Sequence, residues 1–407
     1  MSNTIETSCC IVGGGPAGIM LGYLLARAGV DVVVMEKHAD FFRDFRGDTI
    51  HPSTLELMHE LKILAEFLKL PHQKVKTIRA VVGGEAVTIG DFSHLPVHCP
   101  YIAFMPQWDF LNFLAEQAKR FSSFHLMMQT EGTDLIAENG AIVGVRATTP
   151  EGEVTVRARL VVACDGRHST MRERAGFTVQ NLGAPMDVLW FRLRREESDP
   201  EESFGFFNAG SIMVTINRGD YWQCAYIIPK GSLDKLKAQG IDHLRNAVAA
   251  TQPLFGGRVG EITGWDAVKL LEVRVDRLKQ WHKPGLLLIG DAAHAMSPIG
   301  GVGVNLAIQD AVAAANALAQ PLRAGGTVSE AVLSAIQRRR AFPTAVTQRL
   351  QIVVQNRIIR SVLGSSDQIK PPAALTLFNR FPFLRRLPAR LVGLGVRPEH
   401  VKTPAAA

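Results

Sequence analysis

The stretch that most constrains what this chain can fold into lies near its start. "SCCIVGGGPAGIM" runs from Ser8 to Met20, and "VDVVVMEK" follows from Val30 to Lys37. Ser8–Val12 reads as a buried strand, Ala17–Ala28 as a helix and Val30–Glu36 as a second buried strand. The sheet they enter is therefore expected to be parallel and covered on both faces. Gly13, Gly15 and Gly18 form GxGxxG at the strand-to-helix turn. Glycine there permits a tight turn and lets a pyrophosphate approach backbone amides. The helix N-terminus, entered through Pro16 and Ala17, adds partial positive charge. Glu36 ends the second strand 18 positions past Gly18, with Lys37 beside it. A carboxylate so placed accepts hydrogen bonds from ribose hydroxyls and repels a ribose 2′-phosphate. The pattern predicts a dinucleotide site ill suited to NADP.

Ser53–Leu68 reads as an amphipathic helix opened by a Ser/Thr cap, and Asp109–Phe121 as another helix. Leu126–Val162 reads as short strands with turns at "ENG" and "PEG", ending in "RLVVACDG". Between Asp187 and Arg277 the runs "VLWFRLRR", "SIMVTI", "YWQCAYIIP" and "LLEVRVDRL" alternate, which predicts a half-exposed antiparallel sheet. A strand at Leu286–Ile289 follows, and from Val304 the pattern is mostly helical to the end. An interrupted α/β unit with a β-rich insert implies two interleaved domains.

Two later loops repeat the theme of an apolar strand ending on aspartate and glycine. "CDGRHSTMRERAG" presents Asp165, then Ser169 and Arg172. "GDAAHAMSPIGGVGVN" presents Gly290 and Asp291, then Pro298, Gly301, Gly303, Val304 and Asn305. A carboxylate at a strand end is costly to leave unpaired. Either a hydroxyl-rich ligand supplies donors, or each aspartate caps its own following turn. The three motifs, in this order, resemble the flavoprotein aromatic hydroxylases of the p-hydroxybenzoate hydroxylase type, the class A monooxygenases that include ubiquinone-biosynthesis hydroxylases. The resemblance covers about residues 8–360, and GDAAHxxxPxxGxGxN is its most specific part.

The resemblance implies an α/β chain with a Rossmann-like FAD-binding domain, an interleaved β-sheet substrate domain and a helical C-terminus. The division expected is 1–75, 107–180 and 279–363 for FAD binding, 76–106 and 181–278 for the substrate domain, and 364–407 for a basic helical tail. It implies extended FAD, with Gly13, Gly15 and Gly18 at the pyrophosphate, Glu36 at the adenosine ribose and Asp291 at the ribityl and pyrophosphate region. Arg46, in "FRGDTIHPSTLELM", resembles the arginine that lies along the cofactor, and Gln107 the flavin-contacting position. Asp165 and Arg172 match a motif associated with FAD and NAD(P)H together. The glycines after Pro298 would let amides approach the flavin pyrimidine ring. A helix N-terminus aimed there stabilises negative charge by roughly 0.3–2 kcal/mol.

The implied reaction starts with FAD reduction by NADPH or NADH bound transiently, since no second GxGxxG stands in a strand–helix context. O₂ then gives a flavin C4a-hydroperoxide, and a phenolic or heteroaromatic small molecule takes one oxygen atom. "YWQCAYIIPK" keeps a Trp and an Ile-Pro of the halogenase motif WxWxIP but not its spacing. A flavin-dependent halogenase or a non-oxygenating flavin reductase is the alternative. By fold analogy the substrate lies between the flavin and the β-rich segment, where Trp190, Phe206, Met213, Trp222 and Tyr226 are candidate wall residues. Such side chains are more often core than contact. No spacing identifies a catalytic base; Tyr221 and His98 are candidates by type alone.

At 407 residues and 47% apolar, the chain can bury more than one core. No run approaches the about 18 apolar residues of a membrane span. "MSNTIETSCC" lacks the basic and apolar regions of a secretion signal. Cys9, Cys10, Cys99, Cys164 and Cys224 show no CxxC spacing, which suits a reducing, cytoplasmic setting. No metal site is expected: His294 has no second ligand at a useful spacing and reads as a structural hydrogen-bonding group. The net charge of +7 is concentrated at the end, where thirteen Lys and Arg from Arg338 onward face only Asp367 and Glu399. That basic tail suits a helix packed on the body with solvated arginines, or peripheral contact with an anionic membrane. Without an aromatic-interleaved basic motif, nucleic acid is not an expected partner. A monomer or a homodimer is expected.

Overall fold

In the computed structural model, which describes residues 3–42, 49–367 and 369–406, the strand Asn3–Val12 sits inside a largely parallel sheet. Val32–Met35 flanks it on one side and Gly152–Ala163 on the other. Phe124–Met127 and Leu286–Leu288 extend the sheet outward, also in parallel. The antiparallel strands Glu131–Glu138 and Ala141–Thr149 form a meander off Gly152–Ala163.

Cys9, Cys10 and Ile11 are fully buried because both faces of this sheet are covered. Helices Pro16–Arg27, Gln107–Ala118 and Val302–Arg323 pack on one face. The meander, Met171 and Trp281 pack on the other. Each fully buried Val, Ile or Leu adds roughly 1.5–3 kcal/mol, which explains the near-continuous apolar strands. All five cysteines are buried and none is disulfide-bonded.

A second sheet runs Lys269–Leu271, Met186–Arg194, Tyr221–Pro229, Ser211–Asn217, Phe204–Asn208, Thr77–Val82 and Glu85–Asp91. All its pairings are antiparallel except Phe204–Asn208 with Thr77–Val82. The sequence reading of a half-exposed sheet is corrected here. In Tyr221–Pro229 every residue from Trp222 to Ile228 is buried. Helix Ile241–Thr251 and Phe255 cover one face, and Ile359 and Val362 pack on the other.

The expected helix over Ser53–Leu68 divides into Pro52–Glu60 and Leu64–Phe67, with Lys62 at φ 62° between them. Its N-cap is His51 and Pro52 opens it, so no Ser or Thr side chain caps it. The long apolar segment Ile299–Arg323 is 78% buried over its most apolar window and serves as a core helix. The C-terminal segment carries helices Ala373–Arg380 and Arg386–Gly393, then leaves the helical path that the sequence pattern predicts. It runs back over the body, where Val401 N–H donates to Glu60 Oε2 at 2.8 Å and Ala406 N–H to the Arg27 carbonyl at 2.7 Å.

Candidate cofactor and substrate site

Val12, Ala163 and Leu288 lie side by side in register at the C-terminal ends of three adjacent parallel strands. The three motif loops therefore leave the same edge of the sheet, where ligands of open α/β sheets bind. Gly13 adopts φ +106°, and a Cβ there would lie 2.5 Å from the Cys164 carbonyl oxygen. Gly18 is packed equally closely, its missing Cβ falling 1.9 Å from the Gly13 oxygen. Gly15 is different: nothing lies within 4 Å of where its Cβ would be. It is the N-cap of Pro16–Arg27, and no side chain caps that helix. The N-cap of Val302–Arg323 is Gly301 at φ 64°, again with no side-chain cap. Two uncapped helix N-termini thus open on one cavity, leaving first-turn amides for an anionic ligand.

The acidic residues around these loops have distinct partners. Glu36 is buried at its strand end and accepts from the Gly14 and His38 amides at 3.0 and 3.1 Å. Asp291 borders the cavity, with Arg167 Nη2 at 3.4 Å. Asp165 accepts from Ser169 Oγ at 2.5 Å and from the Met171 amide at 3.0 Å, so it caps its own turn. Burial raises its carboxyl above the usual range, partly offset by these donors. Arg172 is buried and donates to the carbonyls of Ala292 and Arg167 at 3.0 and 2.7 Å. It ties the two aspartate loops together and does not reach the cavity wall.

Pro16, Ala17, Lys37, Gln107, Pro298, Gly303 and Val304 join Gly13, Gly15, Glu36, Asp165, Asp291 and Gly301 in lining the cavity. Gly18, Gly290 and Asn305 stand behind it. The Gly290 amide donates to Asp310 Oδ2 at 3.1 Å, and Asn305 Oδ1 accepts from Ser53 and Thr54 hydroxyls, both at 2.8 Å. Arg46 lies outside the described residues.

Sequence reasoning missed the groups that hold the glycine-rich turn. The Gly301 carbonyl accepts from Thr49 Oγ1 at 3.0 Å and faces His51 Nε2 at 3.1 Å. His51 Nδ1 faces the Val392 carbonyl at 2.8 Å. Behind the turn, His294 Nε2 meets Asp310 Oδ2 at 2.5 Å, which makes it the structural group its sequence context predicts. Arg340 Nε donates to Asp310 Oδ1 at 2.9 Å. Burial alone would raise the Asp310 carboxyl, but His294 and Arg340 hold it below its usual range. Only the Asp310 position carried a sequence signal, as a lone acid within an apolar helix.

The cavity measures about 1390 Å³. Ligand pockets usually span about 300–1,000 Å³, so there is room for a dinucleotide and a second molecule. Strand alternation decides which side chains reach it. Met186, Val188, Trp190, Ile212, Val214, Ile216, Ala225 and Ile227 line the wall. Their neighbours Phe206, Met213, Trp222 and Tyr226 occupy the other face and pack in the core with helix Ile241–Thr251. Of the five wall candidates named from sequence, the structure brings only Trp190 to the cavity. Tyr221 and His98 also lie off it; His98 is exposed and paired with Glu56 at 3.0 Å.

Among the described residues the lining acids, Glu36, Glu131, Asp165 and Asp291, all stand on the loops and strands of the parallel sheet and its meander. Among the described residues the sheet and C-terminal part of the wall carries Arg79, Lys269, Arg357 and Lys370 and no carboxylate. Arg357 stands on a π-helical turn, Gln355–Ile359, and has no partner among the described residues.

An FAD binding domain family model matches residues 6–350. The chain is 32% identical to 6-methylpretetramide 4-monooxygenase of Streptomyces rimosus over 390 residues, covering 95% of this chain and 92% of that protein. It is 28% identical to rifampicin monooxygenase of Streptomyces venezuelae over 316 residues, 74% of this chain and 61% of that one. Its fold is similar to that of Pseudomonas aeruginosa PqsL in complex with 2-aminobenzoylacetate, with a TM-score of 0.75 at 22% identity over 88% of this chain and 98% of that one. With the motif loops gathered on one sheet edge and a family match over most of its length, this chain belongs to the FAD-dependent aromatic hydroxylases.

Proposed function

We propose that this flavoenzyme uses NAD(P)H and O₂ to hydroxylate an acidic, extended aromatic molecule of phenolic or heteroaromatic type. The observation that carries the reading is one cavity joining two uncapped helix N-termini to the apolar face of a seven-stranded sheet. The residues suit FAD on physical grounds. Gly13 and Gly15 offer close backbone approach, and Glu36 stands where ribose hydroxyls would donate. Asp291 offers an acceptor near the middle, and Gly301, Gly303 and Val304 present amides at the far end. In this reading the parallel sheet with its loops is the FAD-binding domain and the seven-stranded sheet the substrate domain.

Bound FAD would accept hydride from the nicotinamide donor and activate O₂. The chain's own contribution is placement and exclusion of water. Val188, Val214, Ile227 and Trp190 shield the space where the substrate would lie. Arg357 would hold the oxygen anion of an ionised phenol, favouring the electron-rich form of the ring. The name of the pretetramide relative makes its own substrate class the first to test.

The test is NADH or NADPH oxidation by FAD-loaded enzyme across a panel of single-ring and multi-ring phenols, scored with product mass. Stimulated oxidation with a mass gain of one oxygen supports hydroxylation. Stimulated oxidation yielding only peroxide counts against the tested compound as substrate. Dependence on added halide and a separate reductase would instead indicate a halogenase. Asp291→Ala is expected to lose most of its yellow cofactor on purification, and full FAD retention would contradict the role given to it.

A further inference from the structure

The helix Arg386–Gly393 has an unusual division of its faces. Positions four apart share a face, so the helix carries four stripes. Ala389 and Gly393 are buried against Phe92 and Leu95. Pro388 and Val392 line the large cavity. Arg386 and Arg390 are exposed. Leu387 and Leu391 are also exposed, at 65% and 37%. The helix is therefore apolar on three stripes, one of which the described residues leave largely exposed. A helix with an exposed apolar stripe beside an exposed arginine stripe suits a membrane–water boundary.

The surroundings repeat the pattern. Among the described residues eleven large apolar side chains stand exposed, and eight of them lie between Phe342 and Leu391. Phe383, on the turn before the helix, is 61% exposed, with Phe381 and Leu377 near it at 40% and 44%. Between Asp367 and Glu399 the chain has five arginines and a lysine but no acid. Arg386 and Arg390 form no ion pair among the described residues.

We infer that this C-terminal surface docks on an anionic lipid bilayer, with Phe383, Leu387 and Leu391 entering the headgroup boundary and Arg386 and Arg390 meeting lipid phosphates. Exposed leucine and phenylalanine flanked by arginine suit that boundary on both counts. A second copy of this chain fits less well, because a two-fold contact sets a patch against itself and would place these arginines together. The exposed Leu387/Leu391 stripe adjoins the Pro388/Val392 stripe on the same helix. A lipid-dissolved molecule would thus pass from bilayer to cavity along apolar surface. The surface itself is independent of the reaction proposed above.

The experiment is co-sedimentation of the full-length, FAD-loaded protein with phosphatidylcholine vesicles made with and without phosphatidylglycerol. The expected result is pelleting only with the anionic vesicles, reversed by salt. Leu387→Ser with Leu391→Ser should lower the bound fraction about tenfold or more. Phe383→Ser, on an exposed turn, serves as a second variant if the double variant fails to hold FAD or melts early. Arg386→Glu with Arg390→Glu should abolish the preference for phosphatidylglycerol. Equal pelleting with both vesicle types or with none, or binding unchanged in every variant, overturns the proposal. So does a solution dimer that dissociates on Leu387→Ser, which would assign the stripe to a second copy.

Discussion

Arg340 and Asp310 meet at 2.9 Å beneath the GDAAH loop, both shut off from solvent. Asp310 also holds the Gly290 amide and His294, so one carboxylate fixes both ends of the turn that presents Asp291. Arg340 Nη1 reaches Glu399 at 3.3 Å, which anchors the returning C-terminal segment to the same cluster. Removing one partner of a buried pair leaves an uncompensated charge and costs about 3–5 kcal/mol. Arg340→Leu is expected to lose that much stability and to release FAD more readily. Urea unfolding and flavin content check this, and a loss under about 1 kcal/mol would sink it.

Gly13 and Gly15 separate folding from cofactor binding. Alanine at Gly13 must enter the Cys164 carbonyl and adopt a left-handed backbone, so Gly13→Ala is expected to destabilise the apoprotein. Gly15 has φ −72° and open space at its missing Cβ. Gly15→Ala should therefore fold with an unchanged apoprotein melting temperature. Its methyl would instead occupy space that a pyrophosphate needs, weakening FAD by about tenfold or more. Apoprotein melting and flavin titration of the two variants read the contrast, and equal stability losses in both would refute it.

The two halves of the site were not equally legible in the sequence. Strand, glycine turn and terminal acid repeat in one order, and the backbone needs those residue types at those places, so Gly13, Glu36 and Asp291 are legible in the sequence as residues of one cavity. The substrate wall could not be read this way. The sheet carrying Ile227 and Tyr226 is buried on both faces, so no polar alternation marks which of two neighbours looks into the cavity. Side-chain size alone favours residues such as Met213, Trp222 and Tyr226, and all three fill the core under helix Ile241–Thr251. Arg340 was hidden for a related reason. It is the buried member of three successive arginines, and only the packing of its helix against Val302–Arg323 selects it.

Arg357 tests the electrostatic reading of the wall. A hydrogen bond to a charged group contributes about 1.5–3 kcal/mol, or roughly 10–100-fold in affinity. Arg357→Ala should raise KM by that range for an ionisable phenol while leaving FAD content intact. A non-ionisable methyl ether of the same phenol should bind wild type and variant alike. If the variant weakened phenol and ether equally, the arginine would be acting through packing.

His51 gives a pH dependence whose sign is fixed by its surroundings. The ring lies fully buried between the carbonyls of Val392 and Gly301. Burial pushes its pKa down from 6.5 to about 4, although both carbonyls favour the protonated form. A neutral imidazole donates through only one nitrogen, so at neutral pH one carbonyl goes without its proton. Unfolded protein takes up a proton near pH 6.5 that folded protein refuses until about pH 4. Stability from this group is therefore full above the upper value and falls as pH drops through the window, by roughly 3 kcal/mol at most. His51→Gln keeps a donor and removes the titration, so its melting temperature should fall less than that of wild type across the window. Because Gly301 occupies the N-cap position of the helix at the far end of the cavity, FAD release on acidification should shift with it. Parallel melting and flavin-release curves for the two proteins would place the acid loss in groups other than His51, and the assignment would then fail.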